Sequence, residues 1–153
     1  MEKFELTSEF VTFLGKKLFR IKALISFGNV EEGELGGYVE KEENLSNDGN
    51  AWVSGNAWVY GNARVFGNAW VSDNAWVSDN ADYATVQGFG SEYRTTTFFR
   101  TKEGDIGVRC GCFYGTLEEF RAKVKETHGE TKTAKEYLMV ADLMEFRFSK
   151  EEA

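Results

Sequence analysis

Proline is absent from this sequence, and cysteine and histidine are rare. The chain has 153 residues, with no proline, two cysteines and one histidine. Because 28% of the residues are charged and none is proline, collagen-like, low-complexity and strongly disordered classes are disfavoured. The few sulfur and imidazole groups form no recognisable metal-ligand motif. We therefore expect a globular protein without a metal site or a cofactor.

Long hydrophobic runs and excess positive charge are missing as well. The longest apolar runs, such as 137–141, are far too short to span a bilayer, and residues 1–5 lack the hydrophobic segment of a secretory signal. Lys and Arg number 18 against 25 Asp and Glu, for a net charge of −7, which disfavours binding to long DNA. The expectation is a bacterial cytoplasmic protein with neither a membrane nor long DNA as its partner.

The most informative feature is a repeat of six residues. From Gly49 the chain reads GNAWVS, GNAWVY, GNARVF, GNAWVS, DNAWVS, DNADYA. Hexapeptide periodicity is typical of parallel β-helices. The spacing of the aliphatic and small residues is typical of left-handed ones, in which three units form one turn. The predicted fold class is therefore mainly β: a short left-handed parallel β-helix of about two coils, with an N-terminal β cap and a small C-terminal α+β unit.

A turn of about 18 residues makes the register checkable. Trp52 is predicted to lie over Trp70, Trp58 over Trp76, and Arg64 over Asp82 as an ion pair. The repeated asparagines and the Gly or Asp beside each are predicted at corners, where both tolerate left-handed backbone. These asparagines are Asn50, Asn56, Asn62, Asn68, Asn74 and Asn80.

Tryptophans at outward positions would expose an apolar patch that monomers rarely tolerate. Three kinds of cover are possible: the flanking segments, a second subunit across a symmetric interface, or a planar ligand stacked on the indoles. We predict a homo-oligomer, most simply a trimer. Its interface would contain Trp52, Trp58, Trp70 and Trp76.

Composition divides the chain into three segments within one compact domain. Residues 1–46 form an N-terminal β segment and lead-in, 47–88 the repeats, and 89–153 the C-terminal α+β unit. The step from Val39 to Leu45 has the length of one unit, and a two-residue slip then places Val53. These residues predict an irregular turn that leads into the repeats.

Alternating apolar residues predict two pairs of strands in the flanks. In the first segment, 10–14 is a plausible partner for the strand 18–24, and in the third, 93–101 and 105–114 form a hairpin. Cys110 and Cys112 share one face of the second hairpin strand with other apolar residues. They are therefore interpreted as a buried core pair.

Two helices and a last strand are predicted after the hairpin. Thr116 to Glu119 is a capping box that begins a helix ending near His128. A second helix spans about 133–144. Phe146 and Phe148 alternate as a closing strand.

Basic and hydroxyl side chains in the hairpin favour a binding role. Guanidinium groups, hydroxyls and aromatic planes are what the phosphates and base of a nucleotide require. The alternative is an ordinary exposed polar strand face. The candidate ligand-binding residues are Arg94, Thr96, Arg100, Arg109, Trp58 and Trp76.

Hexapeptide repeats also occur in acyltransferases, which use a histidine base within or beside their coils. No histidine lies in the repeats here, and His128 falls at a predicted helix C-terminus. No other catalytic motif stands out. We therefore assign no catalytic residue and expect no enzyme.

Five stretches of the chain together carry a family resemblance: LFRIKAL at 18–24, GGYVE at 36–40, NLS at 44–46, the tandem GNAWV units, and VRCGCFYG at 108–115. They resemble small phage and prophage proteins with hexapeptide repeats, often described as acetyltransferase-like or polymer-forming. The resemblance implies an oligomeric, phage-derived accessory protein in an infected bacterium. Such proteins often act by binding host factors, including inhibition of defence systems.

The expected function is that of a non-enzymatic accessory protein. It would sequester a small nucleotide-like ligand or block a host defence factor. A structural module that uses the repeats for assembly is the first alternative, and a hexapeptide-repeat acyltransferase with His128 as its base is the second.

Overall fold

The computed structural model describes residues 2–90, 94–111 and 113–149. Within these ranges the chain forms eleven strands and two α-helices. The strands are β1 (Phe4–Phe13), β2 (Lys16–Ala23), β3 (Leu35–Val39), β4 (Trp52–Val53), β5 (Trp58–Val59), β6 (Trp70–Val71), β7 (Trp76–Val77), β8 (Tyr83–Phe89), β9 (Arg94–Arg100), β10 (Ile106–Cys110) and β11 (Phe113–Thr116). The helices are α1 (Leu117–His128) and α2 (Lys132–Phe148).

The strands belong to three sheets, so the predicted left-handed β-helix is wrong as a fold class. A mixed five-stranded sheet has the order β1-β2-β3-β5-β7, an antiparallel four-stranded sheet has the order β11-β10-β9-β8, and β4 pairs with β6 alone. The fold is mainly β with several sheets and two C-terminal helices. Each repeat strand is only two residues long. Two of them, β5 and β7, extend the sheet that the N-terminal hairpin begins, whereas β4 and β6 form the separate two-stranded sheet.

The 18-residue register of the repeats is confirmed. Trp52 lies opposite Trp70 and Trp58 opposite Trp76, both in parallel pairs. The expected pair of Arg64 with Asp82 is not formed, because the Asp82 carboxylate accepts a hydrogen bond from Nε of Arg100 at 3.0 Å.

The irregular lead-in is also observed. Val39 pairs with Val59, and Leu45 pairs with Val65. Both partners are separated by 20 positions instead of 18, as the two-residue slip predicts. A short 3-10 turn, Glu42–Asn44, lies between Val39 and Leu45.

Glycine and aspartate, rather than asparagine, adopt the left-handed backbone at the corners. Gly61 and Gly67 have φ of 61° and 67°, and Asp73 takes the same position with φ of 60°. A Cβ on Gly61 would lie 2.8 Å from the carbonyl oxygen of Ser78, whereas a Cβ on Gly67 would meet nothing within 4 Å. Glycine is favoured at every such corner because it adopts a positive φ easily, and at some corners, such as Gly61, it is also needed because the neighbouring backbone lies too close for a Cβ.

The four-stranded sheet lies between two cores. Phe99 on β9 belongs to the core of the repeats and the N-terminal hairpin, while its neighbour Phe98 belongs to the core formed with α1 and α2. Side chains alternate across a strand, so β9 contributes to both cores. The repeats, the sheet and the helices form three successive layers.

The helices begin as the sequence predicts, but α2 ends later. The Thr116 hydroxyl accepts from the Glu119 N–H at 3.1 Å, and Glu119 Oε1 accepts from the Thr116 N–H at 2.9 Å, which confirms the capping box. The predicted strand at Phe146 and Phe148 is wrong. Both residues lie in α2, because Phe148 continues the buried helical face of Met144. No helix in the described ranges is long and apolar enough to cross a membrane.

A buried lysine covers one end of the stacked repeats. The Lys3 side chain is 1% exposed, and its Nζ donates to the Ala51 carbonyl at 2.7 Å. The same ammonium lies 4.7 Å from the Phe27 ring centre. Burial lowers the pKa of Lys3 from 10.5 to about 8, and the Asp48 charge opposes this shift.

Stability is expected to rise with pH above 8 because of Lys3. Between pH 8 and 10.5 the unfolded chain binds more protons at this site than the folded chain does, so the free energy of unfolding increases with pH. The gain to about pH 9.5 is about 1 kcal/mol after allowance for solvent screening. Urea denaturation at stepped pH measures it. Lys3→Met is expected to abolish the rise and the exposed Lys22→Met to keep it; a rise that persists in Lys3→Met would contradict the assignment.

Two glycine substitutions separate conformation from packing. Gly67→Ala should cost about 1 kcal/mol for its positive φ alone. Gly61→Ala should cost about 1–3 kcal/mol more, because its methyl group meets the Ser78 carbonyl. Urea denaturation of both variants checks the difference. Equal losses would show that the backbone relaxes freely at Gly61.

Candidate functional site

A basic and aromatic cavity of about 280 Å³ lies between the four-stranded sheet and the helices. We call it the basic cavity. The sheet contributes the end of β8, the start of β9, the end of β10 and the start of β11, and the C-terminal half of α1 forms the opposite side. Its lining residues are Phe89, Gly90, Arg94, Cys110, Phe113, Phe120, Lys123, Val124, Thr127, His128 and Tyr137.

The cavity forms where the inward face of α1 changes from apolar to polar. Leu117, Phe120 and Val124 are buried at helical spacing. The next two inward positions are Thr127 and His128, which line the cavity instead of filling the core. The helix then ends at Gly129, which has φ of 59°.

Tyr137 organises the aromatic lining. Its ring makes an edge contact with Phe120 at 5.7 Å between centroids and stacks on His128 at 5.9 Å. Phe89 approaches the same ring at 6.3 Å. Burial raises the pKa of Tyr137, with a further increase from Cys110 and an opposing effect of Arg94. The phenol is therefore a neutral O–H donor across the physiological pH range.

Basic side chains form much of the polar part of the lining. Arg94, Lys123 and His128 line the cavity, and none of its described lining residues is acidic. The nearest ion-pair partner of Lys123 is Glu126, 3.9 Å away, and both side chains are mostly exposed. This lining contrasts with a chain whose net charge is −7.

Two glycines allow the cavity side chains to approach the backbone. A Cβ on Gly90 would lie 2.5 Å from the Tyr137 hydroxyl, and a Cβ on Gly111 would lie 2.5 Å from a guanidinium nitrogen of Arg94. Both glycines have positive φ. Larger residues here would displace the side chains that line the cavity.

The structure places two of the predicted ligand-binding residues at or behind the cavity. Arg94 lines it. Thr96 is 1% exposed and lies behind the wall, where its hydroxyl donates to Cys110 Sγ at 3.2 Å. Cys110 is half-buried on the cavity wall, so its interpretation as a core residue is wrong; Cys112 lies outside the described residues.

The other two arginines point elsewhere. The Arg109 guanidinium lies 4.0 Å from the Trp70 ring centre, donates to the Gly111 carbonyl at 3.2 Å and is 3.8 Å from Asp73. Arg100 donates to Asp82 at 3.0 Å and to the Phe148 carbonyl at 3.1 Å, which ties the end of the repeats to the end of α2. The three arginines of the hairpin therefore do not converge.

Trp58 and Trp76 lie away from the cavity in the five-stranded sheet. Their rings stack at 4.8 Å with an angle of 8° between planes, and Phe13 of the N-terminal hairpin contacts both rings at 5.2 and 5.1 Å. Each indole is half-buried. The chain's own flank provides this cover.

The other two tryptophans are also covered within the subunit. Trp52 is 1% exposed and makes an edge contact with Phe27 at 5.4 Å. Trp70 is half-buried under Arg109, and its Nε1 donates to the Ser54 hydroxyl at 2.7 Å. The four predicted interface tryptophans thus have intramolecular contacts, and the exposed patch that motivated the interface is not formed.

Sequence reasoning missed most of the cavity. Lys123, Thr127 and Phe113 were not among the predicted ligand-binding residues, and Tyr137 was predicted only as part of a helix face. One signal was available: polar Thr127 and His128 continue the apolar face of α1. In the described part of the chain, no three His, Cys, Asp or Glu side chains are grouped closely enough to hold a metal ion.

Comparison with known proteins adds no family. No protein-family model matches the chain, and no curated protein matches it.

Arg100 and Arg109 are expected to affect stability rather than the cavity. Arg100→Gln should lower the free energy of unfolding by about 1–3 kcal/mol, because it removes a charged hydrogen bond to Asp82. Arg109→Gln should cost about 1–2 kcal/mol through loss of the cation–π contact with Trp70. Urea denaturation followed by tryptophan fluorescence measures both, and unchanged stability in either variant would contradict its structural role.

Proposed function

We propose that this protein binds a small ligand of the nucleotide class in the basic cavity, without converting it. A single observation carries the proposal. In a chain of net charge −7, the cavity has three basic side chains and several aromatic rings, and its described lining has no carboxylate. That combination selects a ligand with both a negative charge and a planar ring.

The charged part of the ligand is assigned to the basic groups. The Arg94 guanidinium contributes a fixed positive charge to the cavity wall, and the Lys123 ammonium can add a second charge for a phosphate. The Tyr137 hydroxyl and the His128 ring can donate further hydrogen bonds. A single phosphate group is large enough to contact these donors.

The planar part of the ligand is assigned to the aromatic lining. Bases stack on aromatic side chains with little dependence on their identity. The volume of about 280 Å³ lies near the lower end of the range for ligand sites, which is about 300–1,000 Å³. A ligand with one base and one phosphate is therefore favoured over a dinucleotide.

Sequestration is the role that we propose for this binding. It agrees with the expectation of a phage-derived accessory protein in a bacterial cytoplasm, which rests on the sequence resemblance. Direct blocking of a host defence factor, a structural module and an acyltransferase with His128 as base remain alternatives. These alternatives differ from sequestration in whether a nucleotide binds and whether it is recovered unchanged.

Isothermal titration with a panel of probes tests the proposal. The panel consists of the four ribonucleoside monophosphates, the matching nucleosides and inorganic phosphate. At least one monophosphate is expected to bind about ten-fold more tightly than its nucleoside and than phosphate, because charge and ring both contribute. Affinity should fall as salt concentration rises.

A pair of lysines on α1 supplies the matched control. Lys123→Ala should weaken monophosphate binding by about ten-fold, which corresponds to loss of one charge-assisted hydrogen bond. Lys125→Ala removes the same charge from an exposed position that does not line the cavity, and should change little. Equal effects of both substitutions would indicate non-specific charge attraction instead of a site.

The state of the recovered ligand separates the alternatives. After incubation, mass spectrometry should recover the nucleotide unchanged, and a converted product would contradict the non-enzymatic part of the proposal. If no probe binds at about 1 mM, which is about −4 kcal/mol, nucleotide sequestration is wrong. A structural module predicts that result.

A further inference from the structure

The outer face of α2 carries an apolar stripe. Of the eight large apolar side chains that are exposed in the described ranges, three lie on this helix. Met139 is 71% exposed, Leu143 56% and Phe146 78%. Their spacing of four and three residues places them on one side of the helix, opposite the buried face of Tyr137 and Met144. A helix that is apolar on both faces is expected to pack against its own subunit on one face and against a partner on the other.

Charged residues beside the stripe indicate what covers it. Glu136 and Arg147 lie on the same flank of the stripe, near its two ends. Neither has an ion-pair partner among the described residues. A helix with one acidic and one basic end on the same flank is complementary to an antiparallel copy of itself.

We propose that the protein forms a two-fold symmetric dimer in which α2 packs antiparallel against α2 of a second copy. Leu143 lies near the two-fold axis, and Met139 contacts Phe146 of the second copy. Glu136 then lies within one helical turn, about 5 Å, of Arg147 of the second copy. The two-fold axis repeats this ion pair, as an isologous interface requires.

The opposite flank is compatible with this arrangement. Asp142 lies nearest the axis on that side, where two copies would repel each other. It is paired with Arg121 of its own subunit at 2.9 Å, and the same guanidinium holds Glu145 at 2.9 Å. Because Arg121 neutralises one of these two negative charges, it reduces the repulsion that a second copy would meet at the axis.

A parallel pair of helices is disfavoured by the same residues. A parallel two-fold pair would place Glu136 of one copy and Arg147 of the other on opposite sides of the interface and more than two helical turns apart, so neither ion pair would form. The pattern therefore specifies orientation as well as partner. It also differs from the trimer through tryptophans, since it uses none of the four indoles.

Sedimentation equilibrium over a concentration series tests the dimer. We expect a dissociation constant of about 10–100 μM, in keeping with a small interface. Leu143→Glu should raise it about 100-fold, because a carboxylate would be buried at the axis without a partner. A wild-type chain that stays monomeric at about 500 μM, or a trimer, overturns the proposal.

A charge-exchange series tests the antiparallel register and guards against misfolding. Glu136→Arg and Arg147→Glu, each alone, place like charges together and should weaken the dimer about ten-fold. The double variant restores the pairs and should return to within about three-fold of the wild type. Glu32→Arg, on an exposed loop before β3, makes the same charge change as a control and should have no effect.

Each result of the series decides the register. Failure of the double variant to restore the dimer, or an equal loss in Glu32→Arg, overturns the antiparallel pairing. Circular dichroism melting of each variant confirms that the chain is folded. The dimer does not depend on the basic cavity, so nucleotide binding and self-association can fail separately.

Discussion

Two adjacent side chains, Phe98 and Phe99, hold the layers of this protein together. Both are fully buried, and each lies in a different core because successive residues of a strand face opposite sides of the sheet. A shift of β9 by one residue would exchange the two rings between cores that have different shapes. The position of the repeats relative to the helices therefore depends on the register of this strand, and so does the basic cavity, which opens at its first residue, Arg94.

Local patterns predicted much of the fold, and non-local pairing limited the rest. The six-residue period predicted that Trp58 lies opposite Trp76. The two-residue slip before Val53 predicted the pairs whose members are 20 positions apart. The capping box at Thr116 predicted the start of α1. These features depend on residues close in sequence or on a strict period. The fold class was wrong because sheet membership depends on which distant strands pair. Nothing in a two-residue strand such as β5 indicates that it will join β3 and the N-terminal hairpin.

The candidate site was harder to predict for the same reason. Its lining comes from four strands and two helices between Phe89 and Tyr137, and only tertiary packing brings them together. Residue type correctly drew attention to Arg94, but the same argument included Arg100 and Arg109, whose guanidiniums serve Asp82 and Trp70. An arginine that holds structure and an arginine that binds ligand look alike in a sequence. Their neighbours in space distinguish them.

Both ends of the repeat array are occupied by other parts of the chain. Repeat proteins can lengthen by adding units, because each unit contacts only its neighbours. Here Lys3 bonds to Ala51 at the first unit, and Asp82 at the last unit is tied through Arg100 to α2. Additional units would move these two attachments apart. Duplication of units would therefore break one of these attachments, and this disfavours an array longer than the present one.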